Sequence, residues 1–155
     1  LVKILAFCLM PNHFHLLLTQ IEKNGISKFM QKLATGYSMY YNKRYERTGT
    51  LFEGKFKSEH ANEDDYLKHL FSYIHLNPVK IINPSWKEKG VKNKPQILSY
   101  LEKYPYSSYP DYLGHDRPQN KIINPETFPE YFPDRKSVKE EIFTWLDLNK
   151  QARPV

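Results

Sequence analysis

Prolines at positions 84, 95, 105, 110, 118, 125, 129 and 133 cut the second half of this 155-residue chain into short pieces. Each ring removes a backbone donor and pushes the preceding residue out of helical space, so long regular elements are confined to the stretch before Val79. Beyond it only two segments keep a helical spacing. Pro95 to Lys103 carries Ile97, Leu98 and Leu101; Ser137 to Asn149 carries Val138, Ile142, Phe143, Trp145 and Leu146 and is capped by Asp134 or Ser137.

In the first half, the apolar runs Leu1 to Met10 and Phe14 to Thr19 flank the turn signal Pro11-Asn12 and predict two adjacent strands in a hairpin. From Gly25 to about Tyr45, Ile26, Phe29, Met30, Leu33, Tyr37, Tyr40 and Tyr41 recur at three and four, predicting a long amphipathic helix capped by Ser27 with a basic end. Thr48-Gly49 reads as a turn. Phe52 to Lys57 alternates around Gly54, which predicts an interrupted strand with Lys55 and Lys57 on one face. Asn62 to Asp65 supply capping and acidic residues before Tyr66, Leu67, Leu70, Phe71, Ile74 and Leu76, a second helix that Asn77-Pro78 ends. No repeat or long polar linker divides the chain. A chain of this length buries roughly two-thirds of its unfolded surface around one core.

Lys and Arg number 23 against 17 acidic residues, a net +6 that favours a polyanionic partner. Twelve Tyr, nine Phe and two Trp are plentiful, and between Tyr37 and Phe56 they interleave with Lys and Arg. Most aromatics are expected in the core, although Tyr40, Tyr41 and Tyr45 have the form of base-stacking residues. The single Cys8 excludes an internal disulfide; in its apolar run it reads as a small buried hydrophobe in a reducing compartment. No apolar run approaches the roughly 18 residues that span a bilayer, and a secretory leader layout is missing, so the expected location is cytoplasmic. The chain enters directly on an apolar strand at Leu1, which reads as the continuation of a longer polypeptide.

Chemistry is concentrated at two places. His13 and His15 flank Phe14, and on a strand residues two apart project to the same side, where two imidazoles can share one divalent metal. The pair alone is common, and a solvated or hydrogen-bonded histidine is the simpler reading. A histidine-triad nucleotide hydrolase would need a third histidine where Leu17 stands, and a structural zinc site would need more thiols than Cys8. The second place is Tyr73 and Asn77, four apart on one helical face at the end of a helix. Tyr66, on the same helix, is the competing phenol. His75 points elsewhere on the helix and reads as structural; His60, His69 and His115 have no partner at ligand spacing and read as surface or packing residues. Lys43, Arg44, Arg47, Lys55 and Lys57 form a basic set suited to a phosphate backbone, against the plainer reading of a solvated face.

Together these segments resemble the single-tyrosine HUH transposases, of the insertion-sequence and REP-associated tyrosine transposase type. The matching stretches are Met10-Pro11-Asn12-His13-Phe14-His15-Leu16-Leu17, Gly49 to Ser58, Tyr73-Ile74-His75-Leu76-Asn77-Pro78-Val79-Lys80 and Tyr104-Pro105-Tyr106-Ser107-Ser108-Tyr109. They fall in order across roughly Ile4 to Gly114.

The resemblance implies an α+β fold: a ferredoxin-like antiparallel sheet with the HUH motif on a central strand, helices on one face, and a Pro-rich helical C-terminal extension. It implies a catalytic domain over 1–114, an extension over 115–155 packed on it, and a further N-terminal strand and helix before Leu1. His13 and His15 carry over as ligands of Mg²⁺ or Mn²⁺, Asn77 as a third, amide ligand, and Tyr73 as the nucleophile. The implied activity is cleavage and rejoining of single-stranded DNA at hairpin-forming palindromes through a 5′-phosphotyrosine, with a homodimer as one arrangement. Two rival readings remain: a non-catalytic hairpin-binding domain derived from such an enzyme, and a metal-dependent phosphodiesterase acting on small nucleotides.

Overall fold

The structure, a computed structural model, describes residues 1–128 and 130–148. The chain is α+β, with one two-stranded antiparallel sheet formed by β1 (Val2–Leu9) and β2 (Phe14–Gln20). Helices follow in chain order: α1 (Gly25–Arg44), α2 (Asp64–Leu76), the single turns α3 (Val79–Ile82) and α4 (Trp86–Lys89), α5 (Lys94–Lys103), the turn α6 (Tyr109–Tyr112), two short 3₁₀ turns, and α7 (Arg135–Leu148). Asn149, the expected end of the last helix, lies outside the described residues.

Two compact units result. The first comprises Leu1–Lys3 with Leu18–Ala61. Here α1 starts one turn before the expected cap: Asn24 enters in the left-handed conformation, φ 62°, and Ser27 sits inside the first turn without capping it. Gly25 is fixed by a close approach, since a Cβ there would lie 2.1 Å from the carbonyl oxygen of Leu1. The strand expected over 52–57 does not form; 51–54 are bends and 55–60 lack regular structure. Gly54 weakens the run, and Phe52 meets its apolar requirement against the Tyr37 ring of α1, 6.2 Å between centroids, rather than in a ladder. Lys55 and Lys57 are therefore exposed on irregular chain, not on one strand face.

The second unit comprises Ile4–Leu17 with the chain from Asn62 onward. Its core joins Leu5, Ala6 and Cys8 of β1 and Leu17 of β2 to Phe71, Ile74 and Leu76 of α2 and to Ile97, Leu101, Val138, Ile142 and Leu146 of α5 and α7. Cys8 is buried, with its thiol pKa pushed up to about 12 by burial. Helix α7 packs on α2 and α5. Asp134 and Ser137 share the cap of α7, Asp134 Oδ1 accepting from Ser137 N–H at 2.8 Å.

In this unit β1 is paired on both edges. Opposite β2, Leu9 N–H donates to the Tyr106 carbonyl (2.7 Å), Ser108 N–H to the Phe7 carbonyl (2.9 Å) and Asn124 N–H to the Ile4 carbonyl (2.8 Å). Among the described residues β1, rather than the histidine-bearing β2, is thus the strand with neighbours on two sides. Nothing in the proline-rich sequence announces the segment 106–108 as a strand partner.

Candidate active site

The hairpin tip sets the histidines. Met10 N–H donates to the His13 carbonyl (2.8 Å) and closes the turn over Pro11-Asn12. Asn12 Oδ1 accepts from His13 Nδ1 at 2.7 Å, which holds the proton there and leaves the Nε2 lone pair outward on an exposed ring. Strand alternation brings His15 to the same side, its ring centroid 5.0 Å from that of His13 and nearly perpendicular to it. His15 is half-buried, and its Nε2 is enclosed without a hydrogen-bond partner. Burial first, then the positive neighbours His13, Lys80 and Lys87, hold its pKa down to about 4, so the ring is neutral at ordinary pH.

The last turn of α2 brings Tyr73 and Asn77 to this place. The Tyr73 ring meets the His15 ring edge-on, 5.4 Å between centroids at 82°. Asn77 is buried and donates through Nδ2 to the Tyr73 carbonyl at 2.9 Å, which aims its amide back along the helix. Its Oδ1 has no partner. Two buried polar atoms, His15 Nε2 and Asn77 Oδ1, therefore stand unsatisfied on residues that contact Tyr73, which costs about 1–3 kcal/mol each unless a partner or a cation meets them. Among the described residues no three His, Cys, Asp or Glu side chains gather to hold a metal ion. A cation here would take two imidazoles and an amide oxygen, and the neutral His15 and the unpaired Asn77 oxygen fit that role.

Two neighbours escaped the sequence reading. Lys87 of α4 places its ammonium 4.9 Å from the centre of the Tyr73 ring. Burial and then Lys80 lower its pKa. No motif marks Lys87; it is placed by Trp86, almost wholly buried beside it. His69, expected in a surface or packing role, lies four residues before Tyr73 on the same helical face, its ring 6.3 Å from that of Tyr73 and 4.6 Å from that of Trp145. The four-residue spacing was the available signal. Burial and then Lys87 lower the His69 pKa. Tyr66 stacks on the far side of His69, at 6.2 Å, two turns from the histidine strand's partner Tyr73. His60 and His115 are exposed.

His75 is structural. It is fully buried, and its Nε2 meets Ser108 Oγ at 2.8 Å while that same oxygen accepts from Phe7 N–H at 2.9 Å. Ser108 thus ties α2 to β1.

The basic residues lie in the first unit. Lys43 and Arg44 end α1; Arg44 lies 5.8 Å over the Tyr45 ring and Arg47 lies 5.6 Å over the Tyr41 ring. Lys55 and Lys57 follow on exposed irregular chain.

Residues 1–77 match a protein family described as transposase, IS200-like. No curated protein and no solved structure matches the chain.

Proposed function

Because the chain belongs, through residues 1–77, to the IS200-like transposase family, we propose that its DNA-processing role is cleavage and rejoining of single-stranded DNA by Tyr73. The observation that carries this reading is the pair of unpaired buried polar atoms, His15 Nε2 and Asn77 Oδ1, on residues that both contact that tyrosine.

Tyr73 Oη would attack the scissile phosphorus, forming an aryl phosphate as the P–O3′ bond breaks. The proton lost by the phenol is balanced by the proton gained at the departing oxygen, giving a 5′-phosphotyrosine and a free 3′-hydroxyl. Attack by another 3′-hydroxyl reverses the step, so rejoining needs no nucleotide cofactor. His13, His15 and Asn77 are the residues that would hold Mg²⁺ or Mn²⁺. Such an ion, when bound, supplies Lewis-acid polarisation of a phosphoryl oxygen. Asn77 also fixes the backbone of Tyr73, His15 packs the edge of its ring, and Lys87 places positive charge beside the site of phosphate transfer.

Lys43, Arg44, Arg47, Lys55 and Lys57 would attract the strand's phosphates, with hairpin-forming palindromes as the preferred DNA. In this reading the β1–β2 hairpin is the histidine-bearing part of a ferredoxin-like sheet, which a homodimer could share. No helix among the described residues is long and apolar enough to cross a membrane.

The test is incubation with single-stranded hairpin DNA and Mn²⁺ followed by a denaturing gel. A covalent adduct is expected from the wild type and none from Tyr73→Phe. No adduct from the wild type, or one that survives Tyr73→Phe, overturns the reading, and tight binding without cleavage favours the hairpin-binding alternative.

A further inference from the structure

Helix α1 carries a ring ladder that cleavage by Tyr73 does not use. Tyr37, Tyr41 and Tyr45 recur at four-residue spacing along one side, with centroids 6.1 Å apart for the first pair and 4.5 Å for the second. Tyr37 is 49% exposed and Tyr45 59%, whereas tyrosines serving a core would be covered. Phe52 lengthens the ladder beyond Tyr37.

The end of the ladder is built with strain. Glu46 adopts a left-handed conformation, φ 50°, at a position where glycine is the usual occupant and a side chain costs roughly 1 kcal/mol or more. That turn lets Arg47 N–H reach back to the Asn42 carbonyl (2.9 Å) while Tyr45 N–H bonds the Tyr41 carbonyl (3.0 Å). Asn42 Nδ2 then ties the following loop through the Gly49 carbonyl at 2.9 Å. The reversal returns the Arg47 guanidinium over the Tyr41 ring, as Arg44 lies over Tyr45.

We propose that the C-terminal half of α1, with Arg47 and Phe52, is a stacking platform for the unpaired bases of a nucleic acid strand. Exposed rings offer sequence-tolerant π faces, and the guanidiniums beside them are at hand for the phosphates between successive bases. Duplex DNA hides its base faces and gains only the charges. The unit holding the ladder has nine Lys and Arg against four Glu, so a second copy of this face would meet it with like charge, whereas a polyanion is complementary. The proposal rests on the transposase reading only for the identity of the strand; it requires no cleavage.

The full chain is titrated, by fluorescence anisotropy, with a short oligothymidine, an abasic strand of equal length and a duplex of equal length. Oligothymidine is expected to bind about tenfold or more tighter than the abasic strand. Tyr45→Ala should weaken oligothymidine about five- to hundredfold and leave the abasic strand unchanged; Tyr45→Phe should restore binding, with far-UV circular dichroism the same in all three proteins. Equal affinity for oligothymidine and the abasic strand, or an unchanged Tyr45→Ala variant, overturns the proposal. So does a wild-type dimer in sedimentation that Tyr45→Ala dissolves without altering strand binding, which assigns the face to a second copy. The two readings fail separately: ring-dependent binding by a wild-type protein that forms no adduct with hairpin DNA and Mn²⁺ keeps the platform and removes the cleavage, whereas an adduct without ring-dependent binding removes the platform alone.

Discussion

The ammonium of Lys87 rests over the face of Tyr73, 4.9 Å from the ring centre, and it is there because its neighbour Trp86 is almost wholly buried in the core. Tyr73 thereby has both an imidazole, nearly perpendicular to its ring, and a cation against it, the cation alone worth up to about 2 kcal/mol when partly desolvated. Lys87→Met is expected to slow adduct formation about tenfold at saturating DNA, and Lys87→Arg to retain most of the rate. Single-turnover gels with the purified variants give the rates; an unchanged Lys87→Met protein would show that the contact serves packing only.

Metal binding should depend on the residues whose acceptors stand unpaired. His15→Ala and Asn77→Ala are each expected to weaken Mn²⁺ about tenfold or more, read by electron paramagnetic resonance of free Mn²⁺. Chelation with EDTA should abolish adduct formation and lower the melting temperature of the Mn²⁺-loaded protein to that of the metal-free one.

Acid stability has a defined sign. Burial holds the His75 pKa down to about 3, whereas in the unfolded chain it titrates near 6.5. The unfolded state therefore binds the proton first, and stability, complete above about pH 6.5, falls by about 1.4 kcal/mol per unit as pH drops toward 3. His15, lowered to about 4, contributes in the same direction. Urea titrations at several pH values should show a shallower slope for His75→Gln than for the wild type.

Two glycines of α1 should respond oppositely to alanine. Gly25→Ala places a Cβ against the Leu1 carbonyl and is expected to destabilise the protein by about 1–3 kcal/mol. At Gly36 a Cβ would meet nothing within 4 Å, and Gly36→Ala should stabilise by about 0.5–1 kcal/mol. Chemical denaturation of the two variants compares them directly.

What the sequence disclosed and what it hid follow from range. His13 and His15, and Tyr73 and Asn77, are close in sequence, and strand and helix periodicities alone place each pair on one side. Helices α1, α2, α5 and α7 were likewise readable from spacing, although the cap of α1 fell on Asn24 rather than Ser27. The expected strand over 52–57 failed because alternation describes a strand but supplies no partner for it. Lys87, the Ser108 bridge and the pairing of 106–108 with β1 depend on contacts across dozens of residues, where no local pattern speaks. His69 lay in between: its spacing from Tyr73 was visible, but its significance required knowing that Trp145 closes over it.

The bond of Ser108 to both His75 and Phe7 makes one hydroxyl common to a strand and a helix. Phe71, Ile74 and Leu76 hold α2 against Leu5, Ala6, Cys8 and Leu17 by shape alone, and apolar contact of that kind tolerates small slips. Ser108 adds direction to that contact, because a hydrogen bond is made at one register and lost at the next.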